Sequence, residues 1–280
     1  WPMELFKLKN KPAPAQLDGH IIIVTGAGSG IGRGVALELG KRGAHVVLAD
    51  IEEKGLLEVE KEFAENKCNP PLLVLGDQSK EADVQATVTK TIKHFGGLDG
   101  AVINAGIGIS DKLEDLDVEK WRRGLDINLT SAFMLTKEAM KVMRKQKMGG
   151  SIVYIASKNA FAPGAGFGGY SVSKAGMLQL MRIAALEGGN AGIRFNGINP
   201  DAVFDNSKLW EGGIREQRAA AHGVKPEELE DFYASRNLLN ARVRSLDVAR
   251  AAAFFLSDES SRTTGSVIAV DGGVAAAFPR

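Results

Sequence analysis

Residues 24–32 read "VTGAGSGIG". The stretch closes an apolar run, "HIIIVT" at 20–25, and opens a segment with helical periodicity, "IGRGVALELGKRG" at 31–43. Glycines at such a junction let the backbone come close to a pyrophosphate, and the N-terminus of the following helix stabilises the anion. The spacing is Gly26-x-x-x-Gly30-x-Gly32, which differs from the commoner G-x-G-x-x-G. A glycine-rich turn alone also serves packing. The order strand, turn, helix favours dinucleotide binding over that plainer role.

Working outward, the same alternation repeats. Strand-like apolar runs stand at 20–25, 45–50, 71–77, 99–106, 151–157, 193–200 and 265–273. Helical patterns fill the gaps at 31–43, 52–66, 81–96, 118–147, 169–188 and 246–258. Continuous apolar strands are buried on both faces, and their alternation with helices predicts a parallel sheet. Right-handed crossovers make it an α/β, doubly wound, Rossmann-type sheet of seven strands with helices on both faces and ligands at the strands' C-terminal ends. Residues 201–244 break the rhythm just after a strand end and read as a helical lid over the ligand face. A surface excursion without that role is the alternative. The expected organisation is a linker-like N-terminal segment at 1–17, containing Lys-Pro-Ala-Pro, and a single domain at 18–280.

Composition narrows the partners. The chain has 280 residues, 44% apolar and 25% charged, with a net charge of +1. That balance gives no electrostatic reason to expect nucleic acid or an anionic membrane. No apolar run reaches the length of a membrane span, and the first residues lack a signal-peptide pattern. With Cys68 as the only cysteine, no intrachain disulfide can form, which suits a reducing, cytoplasmic setting. The four histidines are scattered without metal-ligand spacing, so no metal is expected.

Two local features carry chemistry. Asp50 ends the second strand, where an acidic side chain bonds an adenine-side ribose diol and repels a 2′-phosphate. Neither Ser29 nor Ile51 beside it supplies a compensating cation, so NAD is favoured over NADP. A helix N-cap is the alternative for Asp50. In "YSVSK", Tyr170 and Lys174 lie four apart at the start of a predicted helix and so share a face. A nearby ammonium favours the phenolate and is expected to lower the tyrosine's pKa.

With these residues on view, the chain resembles the short-chain dehydrogenase/reductase family. The motifs are "TGAGSGIG", "NAG" at 104–106, Asn128 in "LDINLTSAF", Ser157 ending "IVYIAS", and "YSVSK". The resemblance covers about residues 18–280, and five motifs occur in order at fitting separations. It implies Tyr170 as general acid/base and Lys174 as its partner on the nicotinamide ribose. Ser157 would bond the substrate oxygen, and Asn128 would hold a water in a proton relay. The implied cofactor cradle is Gly26, Ser29, Gly30, Ile31 and Gly32 at the turn, then Asp50 and Ile51. Asp77 and Gln78 follow at the adenine, Asn104, Ala105 and Gly106 beside its ribose, and Tyr170, Lys174, Pro200 and Val203 near the nicotinamide. For any one of these residues a packing or capping role is the alternative. The family also implies a homo-oligomer, dimer or tetramer, built through helix faces such as 118–147 and the one bearing Tyr170.

Two departures from the family pattern stand out. Ile103 precedes Asn104 where a second asparagine is common. Pro200 is followed by Asp201 rather than glycine, and Asp205 and Asn206 stand near the usual place of a cofactor-binding threonine. A carboxylate beside a hydride-transfer site is costly against apolar surface but useful against hydroxyls. Asp201 and Asn206, with Ser157, are therefore expected to bind a small polyol, sugar or hydroxyaldehyde. A cap on the first lid turn is the alternative for Asp201. The segments "WPMELFKLK", "NPDAVF", "SKLW", "GVKPEELEDFYASRNLL" and "VDGGVAAAFPR" also resemble the dehydrogenase half of fused rhamnulose-1-phosphate aldolase/short-chain dehydrogenase proteins. That likeness implies lactaldehyde as substrate, a place in rhamnose metabolism and an aldolase domain N-terminal to this one in a full-length protein. The alternatives are a sugar or polyol dehydrogenase, or ketone reductase, and a catalytically idle nucleotide-binding interaction domain.

Overall fold

In the computed structural model, which describes residues 17–278, the strands are β1 (Ile21–Thr25), β2 (His45–Asp50), β3 (Leu72–Leu75), β4 (Gly100–Ile103), β5 (Gly150–Ile155), β6 (Ile193–Pro200) and β7 (Val267–Val270). They form one sheet in the order β3-β2-β1-β4-β5-β6-β7, and every pairing is parallel. Successive side chains of a strand face opposite ways. Ile22, Val24, Val102, Val153 and Ile155 pack on one face with α1 (Gly30–Lys41), α2 (Glu53–Glu65) and α9 (Ser245–Leu256). Ile23, Ala101, Ile103, Ile152 and Tyr154 pack on the other with α3 (Glu81–Phe95), α5 (Ser131–Gln146) and α6 (Gly168–Gly188). This double burial is why the strands read as unbroken apolar runs.

The linker-like reading of residues 1–17 falls outside the described residues except at Leu17. Leu17 is fully buried and its N–H bonds the Arg42 carbonyl at 3.0 Å. The packed domain thus already includes that residue. β3 is shorter than expected. Pro70 and Pro71 precede it, and proline has no N–H to give a ladder.

The expected single helix at 118–147 is divided. After α4 (Val118–Leu125) comes one π-helical turn, Asp126–Thr130, and then α5. The extra residue in that turn sends Asn128 inward, where it is completely buried. Such turns inside α-helices often serve functional positions.

β1 and β4 are neighbours although β2 and β3 lie between them in sequence. The chain changes direction there, leaving a crevice at the strands' C-terminal ends. Residues 201–244 cover it with α7 (Ile214–His222), α8 (Leu229–Ser235) and short 3-10 turns. Phe204 and Trp210 stack at 4.2 Å, Tyr233 packs against both, and Leu229 is fully buried beside them. The lid has a small core of its own. Among the described residues, no helix is long and apolar enough to cross a membrane.

Candidate active site

A cavity of about 490 Å³ occupies the crevice. Its wall includes Gly26, Ser29, Gly30, Ile31, Asp50, Ile51, Asp77, Gln78, Asn104, Ala105, Gly106, Ser157, Tyr170, Lys174, Pro200, Asp201 and Val203. Three expected site residues, Gly32, Asn128 and Asn206, stand outside this wall.

Gly32 is behind the turn. A Cβ there would sit 2.0 Å from the Gly26 carbonyl oxygen, so only glycine lets the helix start this close to β1. Thr25 and Asn104 fasten the turn to β4. The Asn104 amide donates to the Thr25 and Gly26 carbonyls at 2.9 and 3.2 Å, and Thr25 Oγ1 accepts from the N–H groups of Asn104 and Ala105.

Asp50 lies at the end of β2, as expected, but much of its hydrogen-bonding capacity is already used. Its carboxylate accepts from Gly28 N at 2.9 Å and Glu52 N at 3.0 Å. It does not cap α2, whose N-cap is Glu52. Burial raises its pKa, opposed by the backbone bonds from Gly28 and Ile51 and by the nearby charge of Lys208. Neither Ser29 nor Ile51 supplies a cation, as expected from the sequence, but Lys208, distant in the chain, brings its charge near Asp50. The lid carries this lysine back over the strand end, where it pairs with Glu52 and lines the cavity.

Farther along the cavity wall, where the adenine is expected, Asp77 accepts from Ser79 N and Oγ. Gln78 donates to Thr87 at 3.2 Å, while its buried Oε1 has no partner. That oxygen, the close-packed turn and the Asp50 carboxylate are features an adenine dinucleotide would complete. The residues present fit such a cofactor.

At the other end, Tyr170 and Lys174 share a face of α6. Lys174 is almost wholly buried, 5.7 Å from the Tyr170 ring centre, and donates to the Ile155 carbonyl at 2.9 Å. Burial brings its pKa down to about 8. Tyr170 goes the opposite way from the sequence expectation. Burial pushes it up to about 12; the Ser157 hydrogen bond opposes the rise and the Asp201 charge adds to it. In the chain alone, desolvation of the phenolate outweighs any help from Lys174.

Asn128 anchors rather than lines. It accepts from Ile107 N at 2.8 Å and donates to Ile107 O and Ser173 Oγ, both at 3.0 Å. Ser173 in turn donates to the Tyr170 carbonyl at 2.7 Å. The π-helical turn thus fixes the loop after β4 against the helix bearing Tyr170.

Asp201 is not an open carboxylate, and it does not cap the first lid turn, which begins after Ser207. It accepts from Arg236 Nη2 at 2.9 Å, and its side chain is 5% exposed. Burial raises its pKa, with Arg236 and then Lys158 pulling the other way. The Arg236 guanidinium lies 4.1 Å from the Tyr233 ring centre. Asp205 and Asn206 turn away from the reacting end. Asp205 bonds the Ser245 N–H and hydroxyl at the start of α9, and the Asn206 carbonyl accepts from Gly30 N at 2.7 Å. The expected Asn206 contact with substrate therefore has no geometric support, because that residue lies against the glycine turn.

Sequence reasoning missed Lys158, Arg218, Trp210 and Tyr233, all of which line the cavity. Arg218 offered a signal. It follows Ile214 by four residues on α7, so a charge sits on the helix's inward stripe.

Comparison with known proteins agrees with this geometry. A family model described as Enoyl-(Acyl carrier protein) reductase matches residues 26–275. The chain is 38% identical over 282 residues to the uncharacterized oxidoreductase YuxG of Bacillus subtilis (strain 168), a match covering all of this chain and 41% of YuxG. It thus spans less than half the length of that relative. It is 31% identical to levodione reductase of Leifsonia aquatica, covering 92% of this chain and 95% of the relative. A crystal structure of levodione reductase superposes with a TM-score of 0.85 at 30% identity, covering 93% of this chain and 99% of that one. A further relative is glucose 1-dehydrogenase 2 of Bacillus subtilis (strain 168), 30% identical over 92% of this chain and 95% of its own length.

The chain belongs to the short-chain dehydrogenase/reductase family. It is an oxidoreductase of a family that binds a nicotinamide cofactor, NAD(H) or NADP(H).

Proposed function

We propose that this domain transfers hydride between NAD and a small hydroxylated carbonyl compound, with lactaldehyde the first member to test. One observation carries the hydride-transfer reading: Tyr170, Ser157 and Lys174 line one cavity at the strand ends. The dinucleotide would lie along Gly26, Ser29, Gly30 and Ile31, with Asp50 and Ile51 at its adenine ribose and Asp77 and Gln78 at the adenine. Asn104, Ala105, Gly106, Lys174, Pro200 and Val203 would line the way to the nicotinamide. When bound, the cofactor supplies the ring that accepts or gives the hydride.

The chain's own residues handle the proton. In oxidation of a hydrated aldehyde, Tyr170 Oη would take the proton of one diol hydroxyl, while a bound nicotinamide would supply the acceptor for the hydride from the same carbon. The remaining carbon becomes a carboxylic acid. Ser157 Oγ bonds the substrate oxygen and stabilises charge forming on it. Lys174 would hold the nicotinamide ribose, and its ammonium would favour the phenolate. Asn128 keeps α6 and the loop after β4 in register and holds a water beside Lys174. That last role is supported by a close approach: a Cβ on Gly106 would lie 3.1 Å from Asn128 Oδ1 and 3.5 Å from Lys174 Nζ.

NAD is preferred over NADP because the Asp50 carboxylate faces the cavity, although Lys208 lessens the repulsion of a 2′-phosphate. Lactaldehyde rests on the resemblance to the aldolase fusions, and the greater length of YuxG is in keeping with it. The sugar and polyol alternative draws support from the glucose dehydrogenase relative. Self-association through the outer faces of α5 and α6 is supported by half-exposed Phe133, Val172 and Ile183 and by Leu186, which is 86% exposed.

Hydroxyaldehydes, polyols and ketones assayed by nicotinamide absorbance with NAD and NADP test the reading. Tyr170→Phe should abolish turnover and leave NADH binding nearly intact. Retention of more than about a tenth of kcat, a barrier change under about 1.4 kcal/mol, rejects the assignment. Cofactor binding without turnover of any compound would instead mark an idle nucleotide-binding domain.

A further inference from the structure

We propose that the substrate end of the cavity is an anion subsite, in which Lys158 and Arg218 hold a carboxylate or phosphate group carried by the substrate. The inference rests on the dehydrogenase reading and narrows it. Among small hydroxylated compounds, acids and phosphate esters should react in preference to neutral molecules such as lactaldehyde.

The argument begins with charge. Lys158 directly follows Ser157, and Arg218 reaches the same cavity from α7 in the lid. Among the described residues, neither has a carboxylate within salt-bridge distance. Lys158 Nζ bonds only the Ala162 carbonyl, at 3.4 Å. The Arg218 side chain is held by the Ala165 carbonyl at 3.2 Å and by His222 Nε2 at 3.1 Å, and its guanidinium lies 5.3 Å from the Phe167 ring centre. Arg218 is 9% exposed. Its partners are neutral, so the positive charge itself is uncompensated.

The neighbouring carboxylates do not remove the excess. Asp201 is already paired with Arg236. Asp271, also near Lys158, accepts from Gly273 N at 2.8 Å. Three cations, Lys158, Arg218 and Arg236, thus face two carboxylates. The pKa directions of the neighbours follow from the same field. Burial lowers Lys158, with Arg236 and Arg218 lowering it further against Asp201 and Asp271. Burial and the charges of Arg218, Arg236 and Lys158 bring His222 down to about 4. A neutral His222 accepts a hydrogen bond from Arg218 and leaves the guanidinium's charge to act on the cavity.

Cations taken from water without counter-charge are costly unless something anionic completes them. Arg218 presents a planar fork suited to two oxygens of one carboxylate or phosphate, and Lys158 a compact point charge. Lys158 follows Ser157 in the chain and lies within the field of Arg218, so an anion held by both would sit toward the Ser157 end of the cavity, apart from the glycine turn where the pyrophosphate would bind.

The test compares charged and neutral partners. β-Hydroxybutyrate is measured against sec-butanol for the carboxylate arm, and glyceraldehyde phosphate against glyceraldehyde for the phosphate arm, both with saturating NAD. The charged member of at least one pair should have a kcat/KM roughly ten- to hundred-fold higher, as loss of a hydrogen bond to a charged group implies. Arg218→Gln and Lys158→Gln should each shrink that ratio, and Arg218→Lys should restore part of it. Calorimetric titration of β-hydroxybutyrate and glycerol phosphate into NADH-saturated protein gives a second readout that needs no turnover. Neutral substrates turned over as well as charged ones would overturn the anion subsite and leave the dehydrogenase reading standing. Arg218-dependent anion binding without any turnover would support the subsite and remove the dehydrogenase reading. Should Arg218→Gln fail to fold, Lys158→Gln and Arg218→Lys decide, and a charge ratio unchanged in both overturns the inference.

Discussion

Replacing Arg236 with methionine should cost the folded protein more than replacing Arg236 and Asp201 together. In the single variant the Asp201 carboxylate remains 5% exposed and loses a 2.9 Å bond, keeping only the more distant charge of Lys158 and the backbone. Breaking a buried pair from one side costs about 3–5 kcal/mol. Arg236 is itself 24% exposed, so solvent screens part of its contribution. We therefore expect about 2–3 kcal/mol. Adding Asp201→Asn removes the stranded charge, and the double variant should regain at least about 1 kcal/mol. The measurement is urea unfolding of the cofactor-free protein at neutral pH, with equal m-values confirming that one transition is being compared. The sign with pH follows. Burial already holds Asp201 above its ordinary pKa, and loss of Arg236 raises it further. A carboxyl that binds its proton more tightly when folded gains stability as pH falls through its folded pKa. The deficit of Arg236→Met should thus shrink between neutral pH and about pH 5. A double variant less stable than Arg236→Met, or a deficit that grows on acidification, would refute the reasoning.

Two further outcomes concern the cofactor end. Asp50→Ala should reduce the preference for NAD over NADP by at least about ten-fold, or 1.4 kcal/mol, because the carboxylate no longer repels a 2′-phosphate and Lys208 remains. Dissociation constants for both cofactors decide it, and a wild-type protein that already prefers NADP removes the premise. Gly32→Ala should destabilise the fold by about 1–3 kcal/mol, as overpacking does, since its Cβ would meet the Gly26 oxygen at 2.0 Å. NADH affinity should fall with it, and an unchanged melting temperature and affinity would show that the turn yields freely.

Local patterns carried most of what could be read without coordinates. The glycine turn, Asp50 and the Ser157, Tyr170 and Lys174 set lie at strand ends or on one helix face, where spacing along the chain fixes position in space. All five line the cavity, counting the turn as one. Three kinds of feature escaped. The π-helical turn at Asp126–Thr130 hardly disturbs the apolar periodicity of the helices around it, so the stretch reads as one continuous helix. The upward shift of Tyr170 depends on burial by residues distant in sequence, not on the lysine one turn away. The lid's charges were invisible because their partners are set by how the lid folds back.

Asp201 shows why a departure from a family pattern is best read with its partner. Alone, a carboxylate where glycine is usual looked like a hydroxyl reader or a cap. Its partner stands 35 residues later, on the far side of the lid. The lid sequence did hold a clue. Leu229 and Tyr233 are buried one turn apart, and Arg236 follows at the next position of that inward stripe. An arginine on an apolar stripe needs an anion within reach. On α7 the same reasoning applies to Arg218, four residues after Ile214, yet there the fold supplies only neutral partners. One inward arginine of the lid has thus found its carboxylate within the chain, and the other still faces the cavity with its charge uncompensated.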